Sequence, residues 1–420
     1  MSDFLIDGAS MLLRWLHIVA AIAWIGESFY FVMLDRALKP PASPAPGVYG
    51  ELWSVHGGGF YHKQKYLSAP PRMPDDLHWS KWKAYTTWLS GFALFTVLYL
   101  SSPEIYLIDP AVAALSSTQA IALAVGFLLG GWLVYDALCR WLGTSHDRVL
   151  GALVALLVLG ASYAATHLFA GRAAFLLVGA VMASIMSANV FFVIIPGQRR
   201  MVAALARGET PDPLPGLQGK QRSVHNTYFT LPVVFAMLSN HYATAYAHPK
   251  SWLVLAVFMA AGALIRQFFV LWHSGSRAWW LLGAGAAGLL GAMAWLAPSP
   301  TTASSPIEPA ASAATATTAT TETADVAGND RQPGAHPDTA SILPILTQHC
   351  AACHSAKPTL MASAPKGAMF DTIDQVDARA ALIHQQAVVL KVMPPGNLTH
   401  LSDADRAAIG RWFQSRKTSP

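Results

Sequence analysis

The chain has 420 residues, of which 53% are hydrophobic and 12% charged. A soluble globular protein carries about twice that charged fraction; the deficit lies in about the first 300 residues, which excludes an ordinary soluble enzyme there and points to a membrane protein. Net charge is +5, yet no Lys/Arg-rich patch with interleaved aromatics occurs, so nucleic acid is set aside as a partner.

The N-terminus, MSDFLIDGAS, has no basic n-region and no small-residue cleavage site. Its apolar run therefore reads as a retained helix and not as a signal peptide. A transmembrane helix needs about 20 mostly apolar residues. Eight candidates follow in order: 9–34, 82–101, 119–140, 148–169, 172–196, 226–246, 251–273 and 279–297. The sixth is the weakest, because it contains Pro232, Ser239, Asn240 and His241. Gly126 and Gly130 form a GxxxG, and Gly283, Gly285, Gly288 and Gly291 line the last helix; small residues of this kind allow close packing. Between the first two helices, Val55-His56-Gly57-Gly58-Gly59-Phe60-Tyr61-His62 reads as a loop. It is no dinucleotide fingerprint, since no strand is expected before it and GxGxxG is absent. Cys139 ends an apolar run and reads as an inert buried thiol.

Loop charges set an expected topology. The first loop carries Arg36, Lys39, Lys63, Lys65 and Arg72, with Lys81 at its end. The third carries Arg140 and Arg148, the fifth Arg199, Arg200, Arg207, Lys220 and Arg222, and the seventh Arg277. The even loops offer only Arg172 and Lys250, with Glu104 and Asp109 in the second. Odd loops are thus expected in the cytoplasm and both termini on the far side, the periplasm of a Gram-negative bacterium.

Residues 298–337 are Ala, Thr, Ser and Pro with almost no large apolar side chain, and read as a flexible, disordered tether. From 338 to 420 the pattern is soluble and helical. Ser402 can cap a last helix, with Asp405 three residues on and Ile409, Trp412 and Phe413 on one face. Within this segment Cys350-Ala351-Ala352-Cys353-His354 is the C-x-x-C-H attachment motif for c-type haem. Two thiols three residues apart can add to two vinyl groups, and the following imidazole then lies under the iron. A zinc site would need a second ligand pair, and the segment has no other Cys. Met393, before Pro394-Pro395-Gly396, is the expected sixth ligand, because the proline favours an extended Met393. Met/His ligation of the iron raises the potential, as an electron acceptor requires. His384 and His400 are the rivals.

Ionisable groups inside spans are costly and are functional candidates by default. Arg14, His17 and Glu27 lie in the first helix and Arg266 and His273 in the seventh. His17, His167 and His241 fall toward the periplasm. His225 and His273 fall toward the cytoplasm, near His56, His62, His78 and His146. Two histidine layers suit an additional haem b or metal in the membrane half; the plainer reading is that each ring bonds backbone or lipid headgroups.

Five stretches carry a family resemblance: WIGESFYFVMLD (24–35), VHGGGFYHKQKY (55–66), LHWSKWKAYTTWLSGF (77–92), VFFVIIPGQRRMV (190–202) and HNTYFTLPVVFAMLSNHY (225–242). With eight helices and a C-terminal CxxCH segment, the chain resembles the bacterial membrane-bound, cytochrome-c-linked urate oxidases (urate hydroxylases). The resemblance implies an all-α architecture: an eight-helix transmembrane urate oxidase domain (1–297), the linker (298–337) and a small cytochrome c domain (338–420). It implies an inner-membrane oxidoreductase of purine catabolism that converts urate to 5-hydroxyisourate and passes electrons through its haem iron to a periplasmic cytochrome c or terminal oxidase. Urate is a planar monoanion, so its site needs a cation, planar hydrogen-bonding groups and a base. Arg14, Arg266, His17, Glu27, Asn226 and Asn240 offer them, and a site among helices one, six and seven is expected. Two other classes stay open: an electron-transfer protein relaying from quinol or b-type haem, and a membrane anchor that binds no substrate.

Overall fold

The computed structural model describes residues 2–43, 45–67, 69–297, 339–361 and 364–418. The tether expected over 298–337 lies outside them. The chain separates into two compact units, Met1–Ala292 with Leu390–Leu398, and Met293–Val389 with Thr399–Pro420.

The first unit is mostly helical. Its elements are α1 (Ser2–Ala37), β1 (Val48–His56), β2 (Gly59–Tyr66), α2 (Trp82–Phe95, extended by a π-helical turn Thr96–Leu100) and the short α3 (Pro103–Tyr106). Then come α4 (Ser117–Leu142), α5 (Asp147–Leu168) and α6 (Gly171–Ala188), which runs through a π-helical segment Asn189–Ile194 into α7 (Ile195–Ala206). After these come α8 (Leu214–Leu238), the short α9 (Ala243–Tyr246), α10 (Ser251–His273) and α11 (Trp279–Leu296). Six described stretches are long and apolar enough to cross a membrane: Gly8–Ala37, Ser117–Leu142, Asp147–Leu168, Gly171–Ala206, Ser251–His273 and Trp279–Leu296. Trp15, Ile22, Leu133 and Leu290 are exposed on them. Such surface is compatible with a bilayer as solvent.

Two expected spans take a different form. The span expected at 82–101 is α2 with its π turn. The span expected at 226–246 begins earlier, at Leu214, and its α-helix ends at Leu238, where a 3-10 turn Ser239–His241 takes over. Pro232 stays inside α8, and Gly262 on α10 faces it: a Cβ at Gly262 would lie 3.3 Å from Pro232 Cδ. The segment expected as a loop at 55–62 is the tip of an antiparallel hairpin, with Trp53 opposite His62 and Val55 opposite Phe60. A strand does therefore precede the glycines, and Gly57 and Gly58 take φ of +59° and +80° in the turn, a region glycine enters without a steric penalty. The all-helical expectation misses this element.

Packing centres on α6, where Phe175, Leu177, Val178, Met182 and Ile185 are buried. The expected GxxxG is not the contact. A Cβ on Gly126 or Gly130 would meet nothing within 4 Å, whereas one on Gly131 would lie 2.5 Å from Val181 Cγ1 on α6. On α11, Gly285 makes the close approach, to Ile265 of α10, and Gly283 and Gly291 face open space.

The second unit holds α12 (Thr339–His349), α13 (Ile373–Asp377), α14 (Ala380–Ile383) and α15 (Asp403–Thr418) around a core that includes Ile342, Leu346, Phe370, Val376, Ile409 and Trp412. Ser402 caps α15: its Oγ accepts from Asp405 N at 3.1 Å, and Asp405 Oδ2 accepts from Ser402 N at 3.3 Å.

Candidate functional site

In the second unit, the core residue Leu346 anchors the end of α12, and its carbonyl accepts from Cys350 N at 2.8 Å. The chain then turns tightly, with Cys353 N and His354 N both donating to Cys350 O at 3.1 and 2.8 Å. Cys350 and Cys353 are free thiols, and Cys350 packs against the core. Burial, aided by neighbouring Cys353, pushes the Cys350 thiol up to about 12, and burial also raises Cys353. Burial lowers His354, against a bond from its ring to backbone. That bond is His354 Nδ1 to Ala368 O at 2.8 Å. A carbonyl can only accept, so Nδ1 carries the proton and Nε2 of the neutral ring keeps its lone pair for a metal. Phe370 stacks on the ring, with centroids 4.9 Å apart. Two unpaired thiols and an imidazole oriented from behind fit a covalent haem. His384, a rival for the sixth position, stacks on Phe413 at 4.3 Å. Met393 lies on the Leu390–Leu398 segment that groups with the first unit.

The first unit buries a polar network inside its bundle. Tyr135 on α4 is fully buried, and its hydroxyl lies 2.8 Å from His225 Nδ1 on α8. Asn189, at the π-helical segment after α6, donates to Tyr135 Oη at 3.1 Å and to Asn226 Oδ1 at 2.8 Å. Asn226 in turn donates to Met186 O at 3.1 Å. Arg222 donates to Asn189 Oδ1 at 3.3 Å and to Asp136 Oδ1 at 2.6 Å, and Arg140 holds the other Asp136 oxygen at 2.6 Å. The π turn lets this happen: the extra residue per turn re-aims a side chain, and Asn189 points inward among its neighbours. Every amide and charge in this group has a partner.

Of the six residues picked for the urate site, Asn226 alone sits in that network, beside His225 of the expected cytoplasmic histidine layer. Arg266 on α10 is elsewhere. It is 3% exposed, its Nη2 reaches Ser28 O of α1 at 3.4 Å, and its guanidinium lies 4.1 Å from the Phe29 ring centroid. Its buried Nε has no partner. Next to it, Gln267 accepts from the Tyr228 hydroxyl of α8. Helices α1, α8 and α10 meet here. Glu27 is held by Ser80 at 2.5 Å and Lys83 at 3.1 Å. His17 turns toward α2, with Nδ1 2.9 Å from Thr87 O and 3.2 Å from Ser90 Oγ. Arg14 is exposed. Asn240 lies near Tyr99, and its buried Oδ1 has no partner. The histidine layers resolve into separate contacts: His167 bonds Tyr163 O at 2.7 Å, and His62 pairs with Glu51 at 2.8 Å. Among the described residues, no three His, Cys, Asp or Glu gather as a metal site.

Residues 3–297 match the family described as urate oxidase N-terminal. The chain belongs to that family. Its urate oxidase N-terminal region spans every element from α1 to α11, including the buried network and Arg266, and a urate-related oxidoreductase function follows for the family member described above. The CxxCH unit lies beyond the matched residues. No curated protein and no solved structure matches the chain. Tyr135, Asp136, Asn189 and Arg222 were missed in the urate oxidase region from sequence. The signal for Asp136 was present, since it lies within an expected span.

Proposed function

We propose that this protein oxidises urate to 5-hydroxyisourate in the membrane and passes the electrons out through a c-type haem held on its own C-terminal unit. The overall change is urate plus water to 5-hydroxyisourate, two protons and two electrons. What carries this reading is the union in one chain of a urate oxidase N-terminal region and the CxxCH motif. The haem, when bound, would supply a one-electron redox centre.

The chain's own residues have separable tasks. Cys350 and Cys353 would anchor the porphyrin, His354, its ring fixed by the Ala368 carbonyl, would ligate the iron through Nε2, and Met393 would be the second protein ligand. Loop charges support a multi-pass inner-membrane placement with both termini and the cytochrome domain in the periplasm. There the acceptor is a periplasmic cytochrome c or a terminal oxidase.

Anaerobic addition of urate to the detergent-purified holoprotein tests this. Reduction of the c-type absorption band by urate, with 5-hydroxyisourate formed, is the expected result. Reduction by a quinol and none by urate would replace it with a membrane electron-relay function.

A further inference from the structure

The two deeply buried arginines of the bundle differ in one respect. Arg222 faces Asp136 at 2.6 Å. Arg266, equally buried, has no carboxylate partner among the described residues, a partnerless Nε and one long bond to a backbone carbonyl. A lone cation in a low-dielectric interior is strongly disfavoured unless an anion joins it. The nearby acids are already engaged: Asp35 pairs with Lys65 at 2.7 Å, and Glu27 with Lys83 and Ser80. A second guanidinium lies on the same side of the bundle, since Arg36 and Arg266 both act on Tyr228.

The shape of the site narrows the ligand. The guanidinium lies 4.1 Å from the Phe29 ring centroid, and Gln267, the next residue of α10, accepts from the Tyr228 hydroxyl of α8. A guanidinium laid over the Phe29 ring offers its free Nε–H edge-on, in its own plane, which suits a flat anion with C=O edges better than a tetrahedral one. Depth narrows the route. Arg266 is seven residues from the end of α10 at His273 and fifteen from its start at Ser251. At 1.5 Å per residue it lies roughly 10 Å from the His273 end and roughly 22 Å from the other. The His273 end is also where α1 finishes, at Arg36 and Ala37, and where the basic first and seventh loops emerge.

We propose that Arg266 anchors a site for a planar purine monoanion, and that this anion is admitted from the membrane face bearing Arg36 and His273, the cytoplasmic face by loop charge. This rests on the urate reading for the identity of the anion, and it adds the residue that holds it and the side it comes from. Substrate is then taken from the cytoplasm, where purine-degrading reactions would supply it.

The test uses the full-length holoprotein. Urate raises the thermal midpoint of the wild type, Arg266→Gln abolishes that shift and raises KM for urate at least tenfold, and Arg266→Lys recovers part of both. In proteoliposomes sorted by protease access to the first loop, urate reduces the haem only when supplied on the face of that loop. If wild type oxidises urate and Arg266→Gln leaves KM and the thermal shift unchanged, the site is refuted and the urate reading stands. An Arg266-dependent thermal shift without haem reduction refutes the oxidation reading and leaves the site. Oxidation only from the opposite face overturns the route. If Arg266→Gln alters retention of phosphatidylglycerol in nanodiscs and not urate binding, the arginine serves a lipid phosphate and the proposal fails.

Discussion

Replacing Asp136 by Asn isolates the electrostatics of the buried network. The change keeps the size of the side chain and removes the charge that faces Arg222, whose side chain is 5% exposed against 13% for Asp136. Breaking a buried pair by neutralising one partner costs roughly 3–5 kcal/mol, because the other charge is left uncompensated. The second arginine on Asp136 contributes little: Arg140 is 74% exposed, and screened pairs of that kind are worth about 0–1 kcal/mol. Arg140→Gln is therefore the mild control. The double change Asp136→Leu with Arg222→Met removes both charges and most of the desolvation penalty. It also strips Asn189 Oδ1 of its donor at 3.3 Å, and an unsatisfied buried acceptor costs about 1–3 kcal/mol. The double variant should thus be destabilised, but less than Asp136→Asn. Thermal unfolding followed by size exclusion, in one detergent at one heating rate, ranks them. The reasoning is refuted if Asp136→Asn is as mild as Arg140→Gln, or if the double variant is no more stable than the single.

The glycines of α4 give a second test. Gly131→Ala drives a Cβ into Val181, a stiff β-branched residue that is 2% exposed, and should cost about 1–3 kcal/mol. Gly130→Ala meets nothing within 4 Å and should stabilise by up to about 1 kcal/mol; equal thermal midpoints for the two would contradict the packing described. Gly91→Ala puts a Cβ 2.7 Å from His17 Cε1, so it should loosen α1 from α2 and increase hydrogen exchange along α1. Cys350→Ala or Cys353→Ala should abolish the single covalent haem counted by pyridine haemochrome, and a b-type signal in the wild type would give the membrane histidines a cofactor. Met393→Ala should keep the covalent haem and lower its potential, because thioether ligation raises it; an unchanged potential would remove Met393 from the coordination.

What was legible in the sequence is what depends on neighbours along the chain. Cys350, Cys353 and His354 fall within one tight turn, and Ser402 caps α15 with Asp405 three residues on, so spacing alone displays both. The long apolar runs are equally local. The buried network is not: Tyr135 and His225 are 90 residues apart, Asp136 and Arg222 86, and Asn189 and Asn226 37. Their meeting depends on how α4, α6 and α8 pack and on a π turn that no periodicity marks. Arg222 was counted as a loop cation because α8 was expected to start at 226, after it. The hairpin was missed because three glycines drew attention to the turn and away from the alternation of Trp53, Val55, Phe60 and His62 on either side. The GxxxG pattern misdirected for a geometric reason: Gly130 and Gly131 are adjacent, and helix rotation decides which of them faces α6.

The contrast between Arg222 and Arg266 decides how the membrane half is read. The same residue type, at similar burial, is a finished structural element in one place and an incomplete one in the other. Arg222 is compensated by Asp136, and the bonds of the network tie α4, the π-helical segment after α6 and α8 into one arrangement. Arg266 has no carboxylate partner among the described residues, only the Ser28 carbonyl and the Phe29 ring. Folding with a bare charge in that position is tolerable when the stabilising anion arrives from solution, and a fold of a urate oxidase family has an anion to expect. The rigid network and the open arginine share α8, through Asn226 on one side and Tyr228 on the other. The first therefore fixes the helix that frames the second, and disturbing Asp136 should raise KM for urate through displacement of Tyr228, without any contact between Asp136 and the substrate.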